Sequence, residues 1–229
     1  AIDEAHCIST WGHDFRPDYL KVKDIVQELN NPPILALTAT ANEKVEKDIL
    51  SQLGVSMDLF KDSFDRKNLF LSIVNLKPGQ KKDLLIKEIL EKVDGPTIVY
   101  VNFIKTCTEL SQSLKEQGFS CEHYNGSLES QKRKEVQENF IHGKTKIIVA
   151  TNAFGMGIDK SDIRLIIHYD IPKSIENYYQ ETGRAGRDGN DSHCVLLYSQ
   201  EDSIRLKKFI RSSPLERDEI KSLTRYLEN

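Results

Sequence analysis

Thr97-Ile98-Val99-Tyr100-Val101 decides how this chain folds. An unbroken run of β-branched and aromatic residues reads as a strand buried on both faces, because a strand with one wet face alternates apolar and polar residues. The pattern continues with a helix over 105–117, a short strand over 121–124 and a helix over 129–142. A second apolar strand, Lys146-Ile147-Ile148-Val149-Ala150, comes next. Further out lie a strand at Arg164–Tyr169, a helix over 174–182, a strand at His193–Tyr198 and a helix from 200. In the other direction Leu69–Val74 reads as a strand and 80–93 as a helix. Strands alternating with helices imply an α/β fold, a parallel sheet flanked by helices.

The N-terminal part is thinner. Ile34-Leu35-Ala36-Leu37-Thr38 reads as a strand after Pro32-Pro33, with a helix over 42–53. Only about two strands precede the break near Ser63–Asn68, too few for an independent sheet. We therefore expect part of one lobe over 1–66, a complete second lobe over 67–204, and the charged start of a helical region over 205–229.

Composition narrows the function classes. The 229 residues are 38% hydrophobic and 29% charged, with a net charge of −3, as in a globular chain. No apolar run approaches the roughly 20 residues of a membrane span, so no membrane partner is expected. Residues 1–66 hold 7 Lys and Arg against 12 Asp and Glu, whereas 67–229 hold 25 against 23. Nucleic acid would then bind in a local groove rather than to a basic face. Cys7, Cys107, Cys121 and Cys194 have no C-x-x-C spacing, which argues against a disulfide framework or a zinc site. They suit a reducing compartment, the cytoplasm or a eukaryotic nucleus.

Four stretches carry chemistry. Ile2 leads into Asp3-Glu4-Ala5-His6, the sequence form of a Walker B motif. Phosphoanhydride hydrolysis needs Mg²⁺ near the β- and γ-phosphates and a group that orients water; Asp3 suits the metal and Glu4 the water. Taken alone, such a pair is more often a solvated acidic turn. Gln180-Glu181-Thr182-Gly183-Arg184-Ala185-Gly186-Arg187-Asp188-Gly189 places two arginines three apart among glycines, a pattern suited to transferring phosphoryl charge. Thr151-Asn152-Ala153-Phe154-Gly155-Met156-Gly157-Ile158-Asp159 follows a strand directly, and its glycines let backbone approach a ligand. The aromatic, basic loop Trp11-Gly12-His13-Asp14-Phe15-Arg16 suits something planar and anionic. No G-x-x-x-x-G-K-[ST] phosphate loop occurs in the sequence. Gly143-Lys144-Thr145 lacks the first glycine and precedes a strand, so it reads as a turn.

In order and spacing these stretches resemble the superfamily 2 helicases, and specifically the RecQ family of DNA helicases. Asp3–His6 looks like motif II, Thr38-Ala39-Thr40 like motif III and Thr97–Asn102 like motif IV. Thr151–Lys160 looks like motif V and Gln180–Gly189 like motif VI. Ser9–Pro17 is similar to the aromatic-rich loop of RecQ proteins, and Phe64-Asp65-Arg66 and Tyr178-Tyr179-Gln180 strengthen the match. The resemblance covers residues 1 to about 225.

It implies RecA-like lobes and an ATP-dependent 3′-to-5′ DNA helicase acting in repair or recombination. Its cofactors would be ATP and Mg²⁺, and its partners single-stranded and partially duplex DNA. Asp3 and Glu4 would serve metal and water, with Arg184, Arg187 and Gln180 reaching the nucleotide and Arg187 favoured as the arginine finger. Hydrolysis would then be linked to lobe closure. His6, Thr38 and Thr40 would couple hydrolysis to DNA, which Trp11, Phe15, Arg16, Asn102 and Thr151 would contact. Base stacking on such aromatics is worth about 1–3 kcal/mol per base. Lys67 stands where the family usually has Pro, and Asn125 where it often has His. The family's phosphate loop would lie before Ala1 and its zinc region beyond Asn229, so no zinc is expected in the chain and the isolated chain is expected to be inactive. A non-catalytic nucleic-acid-binding segment and an RNA-directed helicase stay open as alternatives.

Overall fold

The computed structural model describes residues 1–9, 16–39, 41–61, 65–77, 79–151, 154, 158–202 and 204. The chain forms two compact units, Ala1–Asp65 and Arg66–Asn229.

Among the described residues, the second unit holds a six-stranded sheet in which every pairing is parallel. Its elements are β1 (Leu69–Asn75), α3 (Lys82–Lys92), β2 (Thr97–Tyr100), α4 (Ile104–Glu116), β3 (Cys121–Tyr124) and α5 (Ser130–Ile141). They continue through β4 (Ile147–Ala150), β5 (Leu165–His168), α6 (Ile175–Thr182) and β6 (Ser192–Tyr198), leaving α1 and α2 for the first unit. The spatial order is β1-β6-β5-β2-β4-β3. The central strands β2, β4 and β5 are buried at every position, as their apolar runs require.

Successive side chains alternate between two cores. Val99, Ile147, Val149, Leu165, Ile167 and Leu197 pack with Ile86 of α3 and Cys107, Leu110 and Leu114 of α4. On the opposite face Ile98, Tyr100, Ile148, Ile166 and Cys194 meet Val136 and Phe140 of α5, together with Phe154, Ile158, Ile163 and Ala185. Each fully buried Ile, Leu or Phe contributes about 1.5–3 kcal/mol. The second core therefore ties the segments that follow β4 and α6 to the sheet.

The first unit contains α1 (Val22–Glu28) and α2 (Glu43–Leu53). Asn42 starts α2 by accepting hydrogen bonds from the backbone amides of Lys44 at 3.1 Å and Val45 at 3.0 Å. Gly54, at φ +69°, ends it in a left-handed cap. Val45, Ile49 and Leu53 bury one face of α2 against Ala5 and Ile8. The strand expected over 34–38 is reduced to one parallel bridge, Ile2 with Ala36. Ile2 N donates to Leu35 O at 2.7 Å, Leu37 N to Ile2 O at 2.8 Å and Ala5 N to Leu37 O at 2.9 Å, after which residues 5–8 turn into a 3₁₀ helix and the ladder ends. Of the helix expected from 200, residues 200–202 and 204 are helical, and 205–229 lie outside the described residues.

Candidate functional site

In the first unit Asp3 and Glu4 stand exposed where the backbone leaves the Ile2–Ala36 bridge. Glu4 has φ +50°, a conformation uncommon for a residue with a Cβ. Its amide donates to Asp3 Oδ1 at 2.9 Å. Its Oε2 lies 3.2 Å from Nδ1 of the buried His6, and that nitrogen is also 3.0 Å from Thr38 Oγ1. The imidazole thus lies between the motif II and motif III stretches. Thr40 lies outside the described residues.

Both ends of the aromatic loop are anchored. Ser9 Oγ donates to Asp48 Oδ2 of α2 at 2.7 Å, and Arg16 N donates to Cys7 O at 3.0 Å. Arg16 is exposed. Trp11 and Phe15 lie outside the described residues, as do Phe64 and, in the motif V stretch, Asn152, Ala153, Gly155, Met156 and Gly157.

In the second unit the register sets Tyr100 opposite Ala150, so Asn102 and Thr151 leave neighbouring strands at the carboxyl edge of the sheet. That edge is where open α/β sheets bind ligands. Asn102 N donates to Asp170 Oδ2 at 2.8 Å and its side-chain amide to Ile171 O at 2.9 Å, so this side chain also braces the segment after β5. Thr151 is buried, and its amide donates to Tyr124 O at 3.1 Å.

The motif VI loop follows α6. Ser174 caps that helix by accepting from Asn177 N at 3.1 Å. Gln180 and Arg184 are half-buried, whereas Arg187 is exposed and donates from Nη1 to Ile158 O at 3.3 Å. Burial pushes the pKa of the Tyr100 hydroxyl up, and the Arg184 charge pulls it back. The two arginines differ in exposure, Arg184 being half-buried and Arg187 open to solvent.

Residues without a role in the sequence reading hold this loop. Arg66 Nη2 donates to Gly186 O at 2.6 Å and to Ala185 O at 3.3 Å. Asn68 Nδ2 donates to Gly186 O at 2.8 Å and Asn190 O at 2.9 Å. Arg164 donates to Asp188 Oδ2, and that hydrogen bond holds the Asp188 carboxyl well below the usual carboxylate range. Arg66 was visible as part of the family signature, but nothing in the sequence marked Asn68 or Arg164.

One departure from the family pattern, at Asn125, and the turn at Gly143 have local explanations. Asn125 is buried, and its Oδ1 accepts from Ser127 N at 3.0 Å and Ser127 Oγ at 2.6 Å, making a side-chain-closed turn. Gly143, at φ +74°, forms the turn before β4, and Thr145 Oγ1 donates to Glu122 Oε2 at 2.8 Å. Gly143-Lys144-Thr145 is thus a turn, as expected. Among the described residues no three His, Cys, Asp or Glu side chains gather as a metal cluster, and no helix is long and apolar enough to cross a membrane.

Residues 80–189 match the helicase conserved C-terminal domain, which makes the second unit a domain of that class. Relatives cover most of the chain. It is 46% identical over 215 residues to the RecQ-like DNA helicase blm-1 of Caenorhabditis elegans, covering 91% of this chain and 22% of that protein. It is 45% identical over 213 residues to the ATP-dependent DNA helicase RecQ of Bacillus subtilis, covering 92% of this chain and 35% of that protein. The chain belongs to the RecQ family of DNA helicases. It spans well under half the length of these two relatives. Among solved structures, Saccharomyces cerevisiae Dbp5 bound to RNA and ADP BeF3 gives a TM-score of 0.71 at 20% identity, over 90% of this chain and 54% of that one. A DEAD box protein from Methanococcus jannaschii gives 0.58 at 22% identity, over 85% and 54%. These likenesses establish the RecA-like fold.

Proposed function

We propose that this chain serves an ATP-dependent DNA helicase that moves 3′-to-5′ along single-stranded DNA and unwinds duplex in repair or recombination. The observation that carries the reading is the contrast within motif VI: Arg184 is half-buried, while Arg187 stands exposed on a loop braced by Arg66 and Asn68. An always-charged, planar guanidinium on a fixed loop suits the charge that develops on a transferring phosphoryl group.

The remaining roles follow from placement. Asp3 is an exposed carboxylate, and a lone carboxylate suits Mg²⁺, which keeps several waters and takes further ligands from phosphates. When bound, the metal neutralises phosphate charge. Glu4 orients the attacking water, and Gln180 supports Arg187. The His6–Thr38 contact passes the state of the acidic pair to motif III. Arg16, with Trp11 and Phe15, senses single-stranded DNA, and Asn102 and Thr151 meet its backbone. Reducing conditions in cytoplasm or nucleus suit the four buried thiols.

The test uses the full-length product of the gene that encodes this chain. ATP turnover is measured with and without single-stranded DNA or RNA, and unwinding with 3′- or 5′-tailed duplexes. We expect about tenfold or greater stimulation by DNA, loss of turnover in Arg187→Ala with ATP binding retained, and unwinding of the 3′-tailed substrate. Equal stimulation by RNA, preference for the 5′ tail, or full turnover in Arg187→Ala would overturn the assignment.

A further inference from the structure

Cys7 lies in the turn that leads from motif II into the aromatic loop. Residues 5–8 form a short 3₁₀ helix in which all four side chains are buried, Cys7 completely. Cys7 N donates to Glu4 O at 2.9 Å, and Cys7 O accepts from Arg16 N, where the aromatic loop returns, at 3.0 Å. The thiol turns to the neighbouring ring, with Sγ 3.6 Å from His6 Nε2. The other ring nitrogen, Nδ1, lies 3.2 Å from Glu4 Oε2 and 3.0 Å from Thr38 Oγ1. One residue thus meets the acidic pair and the exit of the loop through its backbone, and the imidazole through its side chain.

A neutral imidazole has one N–H donor and one bare acceptor nitrogen, and the hydrogen bond made at one nitrogen selects what the other carries. The Glu4 carboxylate only accepts, so the proton belongs on Nδ1. Nε2 then offers a lone pair inside a residue that is 2% exposed, where an acceptor left without a donor is costly. The Cys7 S–H is a donor within reach, and the core fixes its place: Ala5 and Ile8, on either side, pack with Val45, Ile49 and Leu53 of α2. A weak donor suffices there, because burial strengthens the bond and keeps water from competing.

We infer that Cys7 is a positioning residue: its thiol donates to His6 Nε2 and holds the ring proton on Nδ1, facing Glu4 and Thr38, while its carbonyl ties that arrangement to Arg16. A displacement at Arg16 thereby reaches the acidic pair through the backbone of Cys7 and one ring. This inference rests on the helicase reading and on the role proposed above for His6.

The test compares wild type, Cys7→Ala, Cys7→Ser, His6→Ala and the double variant Cys7→Ala/His6→Ala in the full-length protein. Ala removes the donor, whereas Ser keeps one of nearly the same size. Histidine-selective nitrogen NMR, with the His6 signals assigned from His6→Ala, reads which ring nitrogen carries the proton. We expect Nδ1 protonated and Nε2 bare in wild type and in Cys7→Ser, and a mixture of tautomers in Cys7→Ala. DNA-stimulated kcat is expected to fall about fivefold in Cys7→Ala, with KM for ATP within about twofold, and to return to within about twofold of wild type in Cys7→Ser. In the His6→Ala background Cys7→Ala is expected to have no further effect, since the ring it positions is gone. A wild-type proton on Nε2 or on both nitrogens overturns the inference, as does a tautomer unchanged in Cys7→Ala. Equal losses of kcat in Cys7→Ala and Cys7→Ser, or a further loss in the His6→Ala background, also overturn it, because they assign Cys7 to packing alone. A wild type without DNA-stimulated turnover, in which Nδ1 protonation is still lost in Cys7→Ala, overturns the helicase reading and supports the positioning of His6 by Cys7.

Discussion

His6 Nδ1 lies 3.0 Å from Thr38 Oγ1, and this contact joins two motifs that are 32 residues apart in sequence. The same nitrogen lies 3.2 Å from Glu4 Oε2, so a change at the acidic pair reaches Thr38 through one ring. Thr38 is exposed, and removing its hydroxyl leaves little buried surface unsatisfied. Thr38→Val is expected to change stability by less than about 1 kcal/mol while DNA stimulation of ATP turnover falls about tenfold. Basal and DNA-saturated turnover, measured beside a denaturation curve, check this; a loss of stability with stimulation intact would assign the contact to structure alone.

Gly186 has φ +56°, and a Cβ there would lie 2.5 Å from Asn68 Nδ2, 2.7 Å from Asn190 O and 2.8 Å from Ser192 Oγ. The left-handed conformation alone costs a side chain about 1–2 kcal/mol. The Cβ would also push on Asn68, which holds the Gly186 carbonyl. Gly186→Ala is therefore expected to destabilise the protein by about 3 kcal/mol and to lower ATP turnover more than the loss of folded protein explains. Chemical denaturation and turnover per folded molecule separate the two effects. A stability change under about 1 kcal/mol would mean the loop is looser than its hydrogen bonds imply.

Asp188 gives the loop a pH dependence of predictable sign. The hydrogen bond from Arg164 holds its carboxyl below the ordinary value of 3.8. A group with a depressed folded-state pKa lends stability that is fully present above its unfolded value and is lost as pH falls towards the folded one. Asp188→Asn is thus expected to lower Tm at neutral pH, and the gap from wild type should close as pH drops below 3.8. A gap that stayed constant down to about pH 3 would show that charge is not what Asp188 contributes.

What could be read from the sequence follows from what each element buries. β2, β4 and β5 were legible because strands covered on both faces need consecutive apolar residues. α1 was missed: none of its residues is buried, Ile25 is 51% exposed, and no side chain caps its start. Residues 34–38 carry a strand pattern but find one bridge in Ile2, and none of them is buried, Leu35 being 57% and Leu37 46% exposed. Around motif VI the arginines announced themselves by their glycine spacing. Their supports did not, because Arg66 and Asn68 bind backbone carbonyls 120 and 118 residues away, and a carbonyl leaves no trace in side-chain sequence.

Lys82 and Asp202 form a buried pair, Nζ to Oδ2 at 2.6 Å, with 10% and 6% side-chain exposure. Lys82 Nζ also donates to Tyr169 O. Asp202 Oδ2 accepts from Ser199 N at 2.9 Å and Ser199 Oγ at 2.6 Å, while Asp202 N donates to Ser199 Oγ at 3.3 Å. This reciprocal box starts the helical turn after β6, and the lysine ties it to the start of α3. Removing the carboxylate leaves a buried ammonium with one carbonyl partner, so Asp202→Ala is expected to cost about 3–5 kcal/mol. Lys82→Met on its own should cost less, because the Ser199 bonds to Asp202 survive it. The double variant should recover much of the single Asp202→Ala loss, giving a coupling of about 2 kcal/mol in a double-mutant cycle. Strict additivity would mean that Lys82 relaxes to water when its partner is removed, and that the box rather than the ion pair holds the chain after β6.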